Sequence, residues 1–309
     1  NSSKDKTFEI NLAYGNQPGE PVDKFANKWK ELAEEESNGR IKLKLYPSSQ
    51  LGAEKDVVEQ AVSGNNVIVL TGYDFLMSYG VPDVGILSAP YVAESADDLF
   101  YLTTTDWFKD LEKKLNNAGI AVITNALYGE RHLMTVKEVT SPDDLKGMKI
   151  RVPDNEMYIK IFEALGAKPT PSPLSELYTS LQQGMIDGAE NPLPVLQGAK
   201  VDEVAKNLAL TQHTIIITPL VAGTKFLDTI PDDLVKILKE TGDEAAEYEK
   251  PLVKEESEKV LNEFKNEGVK IHQVDLTAFK KKTEKVYDEF PEWTPGLHEK
   301  VEELLKNKK

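Results

Sequence analysis

Arginine is the residue type whose placement in this chain first suggests chemistry. Arg151 stands in the stretch GMKIRVPDNEM, Gly147 to Met157, between Ile150 and Val152 in a short strand-like run that Pro153 stops. Its guanidinium stays charged and offers two parallel N–H donors, a fit to a carboxylate that an ammonium lacks. Two readings are open: a charge on the solvent face of an edge strand, or a fixed cation for an anionic ligand. Arg131 lies in YGERH, where Glu130 either pairs with it on the surface, a contact worth little, or leaves it free for a ligand. Asn191, in GAENP, carries an amide that both donates and accepts; its alternative role is a turn before Pro192. Glu190 beside it is able to orient an arginine or accept a hydroxyl. Catalytic patterns are missing: the 4 histidines are scattered without HExxH spacing, and neither Gly-x-Ser-x-Gly nor a P-loop occurs. The pairs Asp97-Asp98 and Asp232-Asp233 fall at expected helix starts, where carboxylates favour the helix dipole.

The elements that position these residues alternate between strand and helix. Phe8 to Tyr14 and Ile41 to Tyr46 alternate like half-buried strands, and Val67 to Leu70 is a short apolar strand of the kind buried on both faces. Between them lie a helix carrying Phe25, Trp29, Leu32 and Ala33, which stops near Asn38-Gly39, and a helix from Ala53 to Val62. This βαβαβ order implies a parallel layer with right-handed crossovers. A second unit opens near Gly119, with strands at Ile120–Ile123, Lys149–Val152 and Ile186–Ala189. Its helices are expected at Asn155–Leu165 and at Ser175–Gln183, the latter capped by Ser175. Thr214–Gly223 returns as a strand. Asp232 to Asn266 reads as one long solvated helix kinked at Pro251, or as two helices end to end. The C-terminal part is helical, ending in the amphipathic run Leu297–Leu305.

Bulk properties narrow the function. With 309 residues the chain suits two domains, and 40% hydrophobic and 29% charged residues are those of a globular protein. The net charge of −15 argues against nucleic acid, since phosphate contacts need clustered Lys and Arg. Lys280-Lys281-Lys282 and Lys306 to Lys309 read as solvated helix faces. No apolar run is long enough to span a bilayer. The absence of cysteine excludes disulfides, thiol nucleophiles and Cys-ligated zinc. The polar start, Asn1 to Lys6, reads as a mature end after a removed export signal, with a lipid anchor before Asn1 left open.

Several stretches together resemble one family, the extracytoplasmic solute receptors (DctP family) of tripartite ATP-independent periplasmic (TRAP) transporters. They are LYPSSQLG (Leu45–Gly52), APYV (Ala89–Val92), DLKGMKIRVP (Asp144–Pro153), ALGAKPTPSPLSELYTSLQQGMIDGAENP (Ala164–Pro192) and LALTQH (Leu208–His213). The resemblance implies an α/β fold of the periplasmic-binding-protein type, with two domains around a cleft, crossing strands and a long helix spanning both. Residues 1–125 with 214–250 would form one domain and 126–213 with 251–309 the other, the C-terminal helices packing across. It implies no enzyme and no cofactor or metal. A monomeric receptor would hold an organic acid and hand it to a membrane permease outside the cytoplasm. Arg151 matches the family's main carboxylate-binding arginine, Arg131 its second site arginine and Asn191 a ligand-binding asparagine. Tyr73 and Asp74 follow a strand end that would face the cleft. Asn16, Gln17 and Glu20, in the first strand-to-helix loop, would form another wall. Leu174 and Ser172 would add an apolar and a small polar surface. His213, on the hinge strand, is either a structural hydrogen-bonded histidine or a ligand contact.

The acid itself is narrowed by polarity. Asp and Glu on the first domain's side accept sugar hydroxyls and repel a second carboxylate. A hexuronate such as glucuronate or galacturonate is therefore expected, with sialic acid or a C4-dicarboxylate as alternatives within the family. The rivals from other classes are a soluble enzyme with Asp74 or Glu190 as base, and a structural module without a ligand.

Overall fold

The structure, a computed structural model, describes residues 6–308; the expected mature end lies in part outside the described residues, as does Lys309. The strands are β1 (Phe8–Ala13), β2 (Ile41–Tyr46), β3 (Val67–Leu70), β4 (Ile120–Thr135), β5 (Lys149–Val152), β6 (Lys168–Pro171), β7 (Gly188–Asn191), β8 (Asn207–Gly223) and β9 (Lys270–His272). The helices are α1 (Pro21–Glu36), α2 (Glu54–Val62), α3 (Tyr73–Leu76), α4 (Ala96–Leu102), α5 (Asp106–Asn117), α6 (Glu156–Ala164), α7 (Leu177–Gln182), α8 (Leu193–Gly198), α9 (Thr224–Leu227), α10 (Asp232–Asn266), α11 (Leu276–Thr283) and α12 (Leu297–Lys306).

The strands join in the order β2-β1-β3-β8-β4-β7-β5-β6, with β9 paired to β8. β1 pairs parallel with β2 and β3, as the βαβαβ order requires, and β5 pairs parallel with β6 and β7. Between these two parallel sets run β4 and β8, antiparallel to each other and long enough to serve both. Each exceeds its expected range: β4 runs on past Ile123 to Thr135, and β8 begins at Asn207 rather than Thr214. Bulges at Val122/Thr124, Leu127/Gly129 and Arg131/Leu133 break the alternation that a sequence reading follows. β7 lies two residues later than expected, at Gly188–Asn191. Ser175 caps no helix: it lies in a 3₁₀ turn, and α7 starts at Leu177 with no side-chain cap.

α10 is one unbroken helix of 35 residues with Pro251 inside it. At about 1.5 Å per residue it extends roughly 50 Å, enough to back both parallel sets. It is not solvated all round: Leu234, Leu238, Ala245, Val253, Val260 and Phe264 form a buried stripe, and its charges occupy the other face. One apolar core joins this stripe to α1 and the β1–β3 side, where Trp29 Nε1 donates to the Leu238 carbonyl at 3.2 Å. A second lies under α7 and α8 with Val260 and Phe264. A third cluster contains Phe108 and Leu115, Ile150, Met157 and Phe162, and the C-terminal Val286, Phe290 and Val301.

Candidate functional site

Arg151 is not on an edge. β5 is bonded on both sides, Arg151 opposite Ala189 on β7 and Thr170 on β6. Ile150 and Val152 turn into the core, so the two-residue period of a strand turns Arg151 to the other face. There it is 4% exposed, with Nε and Nη2 donating to the Ser172 carbonyl at 3.0 and 2.8 Å. Ser172 is itself fixed, its N–H donating to the Val152 carbonyl at 3.1 Å. Among the described residues no carboxylate lies within 4.0 Å of this guanidinium. Burial, then the nearby Arg131 charge, lowers its pKa to about 10, which leaves it a cation at neutral pH.

Arg131, on β4, is handled oppositely. Its Nε and Nη2 each donate to a Glu190 carboxylate oxygen at 2.7 Å, a bidentate pair, while Glu130 is 3.8 Å from His132. Its guanidinium also faces the ring of Tyr158, 4.6 Å from the centroid. Burial works against ionised Glu190, but the Arg131 charge and the hydrogen bonds from Arg131 and His213 outweigh it and hold the pKa below the usual value. His213 fixes the second side of this carboxylate: Nε2 meets Glu190 at 2.7 Å and Nδ1 meets the Thr211 hydroxyl at 2.7 Å. Both ring nitrogens of His213 are therefore engaged, one by Glu190 and one by Thr211.

Two connected cavities, of about 190 and 60 Å³, open between the two parallel sets. Arg151, Leu174, Tyr128, Phe75 and Glu54 border both. The larger is also walled by Asn16 and Ser172, the smaller by Arg131, Asn191, Asp74, Thr71 and Tyr158. Asn191 is 2% exposed, and among the described residues its amide makes no side-chain hydrogen bond, so it closes no turn and borders the cavity unengaged. Asn16 donates to Glu20 at 3.1 Å and to the Tyr128 hydroxyl at 3.3 Å.

Besides Glu190 and His213, three expected residues border neither cavity. Tyr73 is turned into the core, its hydroxyl on Asn125 at 2.5 Å and its ring edge-on to Phe108, because the first turn of α3 directs it away from the opening. Gln17 is exposed and accepts from Ser48 at 2.8 Å. Glu20 borders neither cavity; it accepts the Gln17 N–H at 2.6 Å and lies against Gly198 of α8, where a Cβ would come within 2.3 Å of its carboxylate. Burial raises its pKa to about 7, against the opposing Gln17 and Asn16 hydrogen bonds.

The sequence reading missed Glu54, Tyr128, Tyr158 and Thr71. Glu54 opens α2 beyond the C-terminal end of β2, the same topological position that singled out the loops after β1 and β3. It is half-buried beside Asp74 and Thr71, and burial, then the Asp74 charge, raises its pKa to about 8 against the Thr71 hydrogen bond. Asp74 is raised to about 6 by burial, against the pull of Arg131. The Thr71 hydroxyl is buried, with the Glu54 carboxyl beside it. Among the described residues no three acidic or histidine side chains gather as a metal site.

A buried arginine bordering the cavity without a carboxylate partner among the described residues, a second arginine neutralised by Glu190 and a wall of amides, hydroxyls and weakly acidic carboxyls define a receptor for a small polar anion. The crossing strands and spanning helix define its architecture, the two-domain fold of periplasmic binding proteins. A sequence profile described as bacterial extracellular solute-binding protein, family 7 (DctP) matches residues 12–292. The chain belongs to that family, the solute-binding proteins of TRAP transporters. It is similar to a TRAP solute-binding protein of Actinobacillus succinogenes 130z solved with bound L-galactonate, at 44% identity and TM-score 0.96, covering 97% of this chain and 100% of that one. A TRAP protein from Ochrobacterium anthropi with bound L-fuconate also shares 44% identity, with TM-score 0.95 over 97% of this chain and 99% of that one. The sialic acid-binding periplasmic protein SiaP of Vibrio cholerae is 32% identical over 262 residues, 83% of this chain and 80% of its own. Members of this family are receptors, and the chain is not an enzyme.

Proposed function

We propose that this receptor binds a six-carbon sugar acid bearing one carboxylate, delivers it to the membrane permease of a TRAP transporter, and works as a monomer outside the cytoplasm. The observation that carries the reading is Arg151: a rigid, nearly inaccessible cation with no carboxylate partner among the described residues, bordering the cavity. A buried charge is costly unless paired, so the ligand's carboxylate is its natural complement. Asn191 and the Thr71 hydroxyl lie within the same enclosure and suit the rest of that ligand. Arg131, already neutralised by Glu190, has no charge to spare for a second carboxylate, and Asp74 on the facing wall, ionised at neutral pH, opposes one. The expectation of a hexuronate widens to include open-chain hexonates, because the acids bound in the two 44%-identical structures are of that kind. On this reading the two domains are 1–125 with 214–250, and 126–213 with 251–309.

Calorimetry with L-galactonate, L-fuconate, glucuronate, galacturonate, N-acetylneuraminate, succinate and malate tests this. One-to-one binding of a hexonate or hexuronate, with the acid recovered unchanged, is the expected result. Binding of succinate or malate with none of the sugar acids would overturn it.

A further inference from the structure

We infer that Asp74 and Asn155 form a latch across the lip of the cleft, so that a contact away from the Arg151 subsite sets how tightly the closed receptor holds its ligand; this rests on the receptor function proposed above. Asp74 belongs to α3, next to the β1–β3 set, and Asn155 belongs to the other side, at the start of α6. Asn155 does two things at once. Its Oδ1 accepts the Tyr158 N–H at 3.2 Å as the N-cap of α6, and its Nδ2 donates to Asp74 Oδ2 at 2.7 Å. The cap fixes the amide, so its donor is presented to the cleft with little freedom left to lose. The acceptor is equally constrained. Asp74 is 7% exposed, and its carboxylate folds back over Gly72 so closely that a Cβ there would lie 1.8 Å from Oδ1.

The position of the pair is what makes it a latch. Asp74 borders the inner cavity, while both residues border the wide opening outside it, with Phe75 and Asp154. Asn155 borders neither inner cavity. The hydrogen bond therefore closes the boundary between ligand space and solvent. The neighbouring contact across the lip, Lys55 with Asp154 at 4.0 Å, joins two exposed side chains and adds little. A bond made only when the cleft is shut raises the closed fraction, and apparent affinity scales with that fraction.

The test uses four variants of the full chain, with affinity and dissociation rate measured for whichever acid of the calorimetry panel the wild type binds. N155S keeps an N-cap but cannot reach Asp74, and D74N replaces the acceptor. N155S is expected to weaken binding about tenfold, mainly through faster dissociation, the size of one charge-assisted hydrogen bond, and D74N, whose amide oxygen still accepts from Asn155 without the charge, by less. The double variant D74N/N155D reverses donor and acceptor while the introduced carboxylate still caps α6, and it is expected to recover most of the loss. G72A, at an extended backbone (φ −137°, ψ 156°) that alanine adopts freely, must displace the carboxylate and is expected to match N155S. Wild-type affinity in N155S or in G72A, or a double variant no tighter than the weaker single one, overturns the latch. A loss in D74N without one in N155S does so too, since Asp74 then acts on the ligand alone. If the acid that binds is a dicarboxylate, the proposed ligand class fails, while the same four comparisons still judge the latch.

Discussion

Replacing Glu190 by glutamine isolates the role of the neutralised arginine. The amide keeps the size of the carboxylate and one acceptor, but removes the charge that Arg131 meets through two 2.7 Å contacts. Both partners are buried, Arg131 at 6% exposure and Glu190 at 0%, so solvent cannot replace what is lost. Breaking one side of a buried pair costs about 3–5 kcal/mol, because the remaining charge stays buried and uncompensated. For a chain of 309 residues, an unfolding entropy of about 2.1 cal/mol/K per residue turns that loss into a melting temperature lower by roughly 5–8 °C. The variant also leaves the cavity wall with two unneutralised cations. A bound acid then compensates Arg131 as well as Arg151, so ligand should raise the melting temperature more in E190Q than in wild type. Thermal unfolding by circular dichroism, with and without saturating ligand, measures both effects. A variant melting within about 1 °C of wild type, with the same ligand increment, would refute the view that Glu190 compensates the Arg131 charge.

Two further outcomes are expected. R151K keeps a positive charge but loses the planar fork anchored on Ser172, and calorimetry should show affinity reduced about 10- to 100-fold; unchanged affinity removes Arg151 from the site. Glu54 provides a pH test. Its pKa is about 8 when folded against an ordinary value of 4.5, so between those limits the unfolded chain has lost a proton that the folded one keeps. Rising pH therefore favours unfolding across that window, and E54Q should flatten the decline in melting temperature between about pH 5 and about pH 8. Equal slopes in variant and wild type would show that Glu54 is ionised throughout.

Much of the scaffold was legible because its signals are local. β2, β3 and β5 match their sequence ranges, each a short apolar or alternating run ended by turn residues. α10 matches at both ends, and a proline within it proved compatible with a continuous helix once the flanking turns were packed. β4 and β8 were underread because they carry three bulges and are mostly buried, which erases strict alternation. Tyr73 was misassigned because position at a strand end does not say which way the next helical turn points a side chain.

The chain by itself determined the elements, the family and the residue type at position 151, since these depend on neighbours a few positions apart. The tertiary structure alone decided which arginine is neutralised and which is left open, where Glu54 and Tyr128 stand, and what bridges the lip at Asp74. Charge pairing and burial depend on distances between segments remote in sequence, such as the 2.7 Å from β4 to β7. Residue spacing along the chain does not encode those distances; only the packed fold fixes them.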